Sequence, residues 1–339
     1  MKVAVTGGTG FTGGHTLKKL VEAGHEPVAL VRDVEKLKKV ADLHKISLVN
    51  HVQGDVSDPE AVSLLLEGCD AVIHIAAVTG TQIRAIPSLK ATNIEGTHTV
   101  LGKAAKLEMD PIIYVSSQST LHPPPEGIYT PNGPLSEEPL GVYAHSKVEG
   151  ERFARQLQAE GYPVVIIWPS GIVGPDDVGI SIAAQGIARL FSVPILPLPS
   201  SGGILMHDVR DLSEVLVRCV SPNKGPRQFG VFGHFYDWEQ TKLLLHEVTG
   251  RALKSFQFPD KFFLGLGHLG DLFDLLHLPF PLDNSTAQFM TNLKPGDDHL
   301  TQEEFDIRWR PLEESFQDTF RWLVEEGHLN PRKVPSLFK

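Results

Sequence analysis

Short apolar runs alternate with amphipathic stretches through the first half of the chain. Val3–Val5, Pro27–Val31, Leu48–Gln53, Ala71–Ala77, Pro111–Ser116 and Val164–Pro169 read as six strands. Strands apolar on both faces belong to a parallel sheet covered by helices. Between them lie helical patterns, with Leu17, Leu20 and Val21 on one face of the first and longer stretches at Asn93–Glu108 and Tyr143–Glu160. Right-handed crossovers make such a sheet doubly wound, a Rossmann fold of α/β class.

After Gly174-Pro175 the alternation decays, and Pro and Gly cluster in 193–203 and 222–230. We therefore expect residues 1–174 to form the sheet domain and 175–339 a smaller, interleaved substrate lobe. Segments near 203–220 and 228–233 should return to the sheet domain, with short strands at Gly203–Met206 and Gln228–Phe232. Phe262, Leu266, Leu269, Phe273 and Leu276 form a stripe at helical spacing, opposite His268, Asp271 and Asp274. Core packing is the first expectation for it, ahead of a pocket wall or a membrane-surface face. Glu313, two residues after Pro311, marks the acidic start of a closing helix.

Composition narrows the field. Net charge is −10 without a basic block, which argues against a nucleic-acid partner. No run is long and apolar enough for stable membrane insertion. The first strand begins at Lys2, so we expect no secretory leader. Cys69 and Cys219 sit in apolar contexts and read as buried free thiols, which fits a reducing, cytoplasmic setting. The 15 histidines show no ligand spacing, and no metal is expected.

The chemistry starts at Thr6-Gly7-Gly8-Thr9-Gly10-Phe11-Thr12-Gly13. This Gly-rich turn follows a strand and opens a helix, the context of a dinucleotide site. Gly7 permits the turn, Gly10 lets a pyrophosphate approach backbone, and Gly13 allows close helix–strand packing. Thr9 and Phe11 join this cofactor set. Strand two ends Val31-Arg32-Asp33, with Lys36 close behind. An acid reading the ribose selects NAD, and a cation accepting a 2′-phosphate selects NADP. Arg32 and Lys36 favour NADP over NAD, while Asp33 reads as the cap of the next helix. Asp55 and Val56 after strand three should meet the adenine. Ala76 and Ala77 are small, as backbone approaching a ribose requires.

Tyr143-Ala144-His145-Ser146-Lys147 opens a helix and places Tyr143 and Lys147 on one face. An ammonium nearby lowers a phenol's pKa and prepares it for proton exchange. Lys147 can also hold the nicotinamide ribose. Tyr114-Val115-Ser116-Ser117 supplies a hydroxyl for a substrate oxygen, Ser117 before Ser116.

Together these segments resemble an extended short-chain dehydrogenase/reductase, of the NAD-dependent epimerase/dehydratase superfamily. His74–Ala77, Asn93–Thr97, Pro169–Pro175 and His207–Asp211 add to the match, which runs over roughly the first 215 residues. The resemblance implies Tyr143 as general acid/base, Lys147 as its activator and Ser117 as the substrate-orienting hydroxyl. It implies Asn93 as the residue that helps place Lys147 and a relay water, and Pro169 and Ser170 beside the nicotinamide. It also implies a homodimer through helices Asn93–Glu108 and Tyr143–Glu160. Two stretches depart from the pattern: Trp168-Pro169 replaces Arg-Pro, and Leu121-His122-Pro123 replaces the Tyr-Gly of sugar-nucleotide members. The chain looks closest to the dihydroflavonol reductase and hydroxysteroid dehydrogenase-like branch, acting on a small apolar or aromatic substrate. His122, Phe191 and Met206 are the candidate substrate contacts. The alternatives are a sugar-nucleotide epimerase or dehydratase with bound NAD, and a non-catalytic NADP-binding sensor.

Overall fold

The computed structural model describes residues 1–80, 85–181, 184–186, 195–251, 254–278, 280 and 282–338. Seven parallel strands form the central sheet in the order β10-β6-β5-β4-β1-β2-β3. They are β1 (Lys2–Thr6), β2 (Glu26–Val31), β3 (Asn50–Gln53), β4 (Ala71–His74), β5 (Ile112–Val115), β6 (Val164–Pro169) and β10 (Arg227–Val231). The strand order reverses at β1, the switch point where open α/β sheets bind ligands.

Alternation along the strands divides the core. Ala4, Leu30, Val72, Ile112 and Ile166 face one layer, where they pack on α3 (Pro59–Leu66), α5 (Thr97–Lys106) and α6 (Gly141–Ala159). Val3, Val5, Val31, Ile73, Val115 and Ile167 face the other. There they meet α1 (Phe11–Glu22), α2 (Val34–His44) and α7 (Val209–Arg218). The short α4 (Ile86–Leu89) runs through a π-helical turn, Lys90–Gly96, into α5.

The predicted strand 228–232 joins the large sheet beside β6. The predicted strand 203–206 does not. It extends to β9 (Gly203–Asp208) in a separate three-stranded sheet with β7 (Gly171–Val173) and β11 (His234–Asp237). A further pair joins β8 (Leu196–Pro199) to β12 (Ser255–Phe258). Helix α8 (Trp238–Thr249) and the C-terminal α11 (Leu312–Glu325) bury Leu244, Leu245, Val248, Phe316, Phe320 and Leu323 in a third cluster.

The 262–276 stripe is a correction. Helix α9 (Asp260–Leu275) buries Phe263, Gly267 and Gly270 instead, against α10 (Asn284–Asn292). A Cβ at Gly270 would stand 1.8 Å from the Leu282 carbonyl oxygen, so glycine permits this approach. Phe262, Leu269, Leu272, Leu275 and Leu276 are 41–65% exposed. Close backbone packing through glycines decided the buried face; most of the stripe was left outside, with Leu266 and Phe273 half-buried. Cys69 is also only half-buried, while Cys219 is buried. No helix among the described residues is long and apolar enough to cross a membrane.

Candidate active site

The glycine-rich turn leaves β1 at Gly7, whose φ is +76°. A Cβ there would lie 2.7 Å from the Ala76 nitrogen, and one at Gly13 only 2.0 Å from the Gly7 carbonyl oxygen. Backbone thus closes on backbone at both positions. The Gly10 N–H donates to Gly7 O at 2.9 Å. No side chain caps α1, and the N–H groups of Phe11, Thr12 and Gly13 have no intrahelical acceptor. This positive helix end suits a diphosphate. Thr9 and Phe11 are half-buried at its rim.

Thr6 joins this turn to β4. Its hydroxyl accepts from the Ile75 and Ala76 N–H groups, both at 3.2 Å, and so donates to His74 Nδ1 at 2.7 Å. His74 Nε2 then donates to Thr97 Oγ1 at 3.0 Å, and Thr97 donates to Asn93 O at 2.7 Å. Burial pulls His74 down to about 3, so the ring stays neutral. Ala76 and Ala77 are half-buried beyond the strand end, which comes at His74.

At the end of β2 Asp33 caps α2 by accepting from Glu35 N and Lys36 N. Arg32 is exposed and lies 3.6 Å from Asp55. The Asp55 carboxyl is held below its usual range: burial opposes this, but Ser57 hydrogen bonds and Arg32 outweigh it. Lys36 reaches toward Gly179. The Val56 side chain, expected beside an adenine, is buried against Gly96.

Ser117, Tyr143 and Lys147 converge where β5 ends against α6. Ser117 Oγ accepts from Ser119 N at 3.2 Å and Ser119 Oγ at 2.9 Å, which leaves its own proton to donate. Burial raises the half-buried Tyr143 phenol's pKa, and the Ser117 hydroxyl nearby works against it. The expectation that Lys147 lowers this pKa is not met, because burial dominates. Lys147 Nζ instead donates to Val115 O at 2.8 Å and lies 4.7 Å from the Tyr114 ring centroid. Burial pulls the amine down to about 8, against the opposing charge of Glu151.

Asn93 sits in the π-helical turn, a distortion frequent at functional sites. Its Oδ1 accepts from Val78 N at 2.8 Å. Its Nδ2 donates to Val78 O and Ser146 Oγ, both at 2.9 Å. The carboxamide therefore pins the loop after β4 to α6, and its hydrogen bonds do not go to Lys147.

The sequence reading missed Glu151, two turns beyond Tyr143 on α6. It is fully buried and accepts from Ser116 Oγ at 2.5 Å, Thr120 Oγ1 at 2.6 Å, Trp168 Nε1 at 2.8 Å and Arg155 Nε at 2.9 Å. Ser116 is thereby committed to Glu151. The available signal was an acid on the buried face of the helix, one turn after Lys147.

Pro169 closes β6. The Ser170 hydroxyl donates to Phe232 O at 2.7 Å and lies 3.0 Å from His207 Nδ1, so it is already engaged. His122 is neither solvent-facing nor free. It is buried, bonded to the Tyr129 hydroxyl, 4.7 Å from the Phe289 ring, and burial lowers it to about 4. Met206 is half-buried against Gly171 and packs on the third core cluster with Ile204 and Tyr236. Phe191 lies outside the described residues.

The model of the NAD dependent epimerase/dehydratase family matches residues 3–192. The chain belongs to this family. Sterol demethylase protein B of Methylococcus capsulatus is 26% identical over 340 residues, 96% of this chain and 99% of that one. A 2-alkyl-3-oxoalkanoate reductase of Stenotrophomonas maltophilia is 31% identical over 180 residues, 52% of each chain. The chain spans little more than half the length of several other curated relatives, such as 56% of a human dTDP-D-glucose 4,6-dehydratase. The fold is shared with UDP-glucose 4-epimerase of Bifidobacterium longum, solved with NAD+ and UDP. That structure has a TM-score of 0.73 at 17% identity and covers 97% of this chain and 99% of its own. Family membership implies a nicotinamide dinucleotide. The uncapped N-terminus of α1 and the two crowded glycines fit one.

Proposed function

We propose that the chain is an NADP-dependent oxidoreductase that interconverts a carbonyl and an alcohol on a small apolar or aromatic substrate. The observation that carries this reading is the Ser117–Tyr143 pair at the end of β5, with Lys147 one turn along the same helix. The nicotinamide, when bound, supplies or takes the hydride. Tyr143, its pKa raised by burial, keeps its proton at neutral pH and gives it to the substrate oxygen. Ser117 donates its free proton to that oxygen and polarises it. Lys147 holds the ribose, and the Gly7–Gly13 turn holds the diphosphate. Arg32 and Lys36 receive the 2′-phosphate, for which Arg32 turns from Asp55.

A panel of hydrophobic ketones and aldehydes with NADPH finds the substrate. Tyr143→Phe should then cost about 100-fold or more in kcat while NADPH still binds. Unchanged turnover would overturn the mechanism. Arg32→Ala should reduce the preference for NADPH over NADH about tenfold.

The dehydratase among the relatives favours one alternative, a sugar-nucleotide epimerase or dehydratase in which hydride leaves and returns within a cycle. NAD retained through purification would move that reading ahead.

A further inference from the structure

His15 on α1 and His44 in the last turn of α2 are 5% and 4% exposed. Their ring centroids are 4.6 Å apart, with the planes 70° apart. The half-buried Asp176 carboxylate completes the group. One donor atom from each residue lies within 4.8 Å of the other two.

The protonation pattern leaves lone pairs free. His15 Nε2 lies 3.0 Å from Pro175 O, and a carbonyl only accepts. The proton therefore sits on Nε2, and Nδ1 keeps its lone pair. A ring N–H anchored on a backbone carbonyl is the usual support of a metal-binding histidine. His44 is buried with no partner at either ring nitrogen. Gly14 leaves the space its ring occupies, since a Cβ there would meet Nε2 at 2.8 Å. Asp176 adopts φ +65°, a conformation uncommon for a side-chain-bearing residue. Among the described residues no side chain pairs with its carboxylate, and burial raises its pKa.

We propose that His15, His44 and Asp176 bind one divalent transition-metal ion, for which Zn2+ is the best match. Two imidazoles and one carboxylate form a borderline-soft donor set, unlike the all-oxygen sites of Mg2+ and Ca2+. Both imidazoles stay neutral at pH 7, because burial lowers His15 to about 4 and His44 to about 3. Zinc ligands stand about 3.4 Å apart at normal bond lengths, so the three side chains draw in from within 4.8 Å of one another when the ion binds. The nearby cations are compensated: Lys18 lies 4.0 Å from Glu22, and Arg210 lies 2.7 Å from both Asp208 and Asp318. Glu325 and Glu326 add negative potential. The ion ties α1, α2 and the segment after Gly174-Pro175 together, one turn beyond the diphosphate end of α1. Its role is that of a clamp, apart from the hydride chemistry.

The test uses the full, tag-free chain stripped with a chelator. Co2+ is titrated by visible absorption and Zn2+ by calorimetry, with thermal melts in each state. The wild type should bind one ion per chain and melt higher with Zn2+. Asp176→Ala, on the solvent side, should weaken binding about tenfold or more and lose the thermal shift. His44→Leu should abolish binding. If that variant does not fold, Asp176→Ala alone decides. Binding no tighter than about 1 mM, or equal binding by wild type and Asp176→Ala, overturns the site.

Discussion

Glu151→Ala tests whether the carboxylate behind the serine loop holds the site together. Its removal takes an acceptor from Trp168 Nε1, which is fully buried, and from Ser116, which is 3% exposed. Thr120 recovers, because Ser117 O lies 2.8 Å from its hydroxyl. Arg155 keeps Gly133 O at 3.0 Å and reaches water. Two buried donors are thus orphaned, at about 1–3 kcal/mol each, or about 4 kcal/mol together. Unfolding entropy of about 2.1 cal/mol/K per residue amounts to about 0.7 kcal/mol/K for this chain, so the melting temperature should fall by about 6 °C. Glu151→Gln retains an acceptor oxygen and should lose about half as much. Differential scanning calorimetry on the wild type and both variants measures this. An Ala variant melting within about 1 °C of wild type would refute the reasoning, since the donors would then have other partners or be wet.

Three further outcomes follow from the structure. Lys147, at about 8, loses its charge as pH rises through that value, so NADPH affinity should weaken about tenfold between about pH 7 and 9; a flat profile of fluorescence-derived Kd would sink the ribose role. His74, His122 and His207 have folded pKa values of about 3, 4 and 3, below the unfolded 6.5, so the unfolded chain takes up protons first. Their contribution is complete above 6.5 and is lost as pH falls toward 4 and 3, by about 1.4 kcal/mol each at about pH 5.5. The urea midpoint should therefore drop between about pH 7.5 and 5.5, and an unchanged midpoint would contradict the burial of these rings. Gly13→Ala forces a Cβ against the Gly7 carbonyl oxygen and should cost about tenfold or more in dinucleotide affinity, read by calorimetry.

The sheet was readable because most of its strands carry apolar residues on both faces, and the ends moved by at most three residues, the three at the end of β4. Val164–Pro169 needed no change, whereas β4 stops at His74 because Thr6 takes over the next two N–H groups. The α9 stripe misled because periodicity reports which face is apolar, and Gly267 and Gly270 chose a different one by letting backbones touch. Ser117, Tyr143 and Lys147 were readable as local motifs. The Glu151 network and the His15–His44–Asp176 group were not, since their partners come from segments that meet only after folding. The lower phenol pKa was inferred from helix spacing alone, and spacing says nothing about burial, which reverses the sign.

Every hydrogen-bonding position that Asn93 uses is spent on fixed protein groups, two of them on the main chain of Val78. Loop and helix therefore move as one piece, like a lever with no slack. A substitution at Ser146, which contacts Asn93 and the Tyr143 carbonyl, will be transmitted to the loop after β4 and to the Tyr143 end of α6 together. On the roles proposed above, cofactor and substrate constants should then change in step.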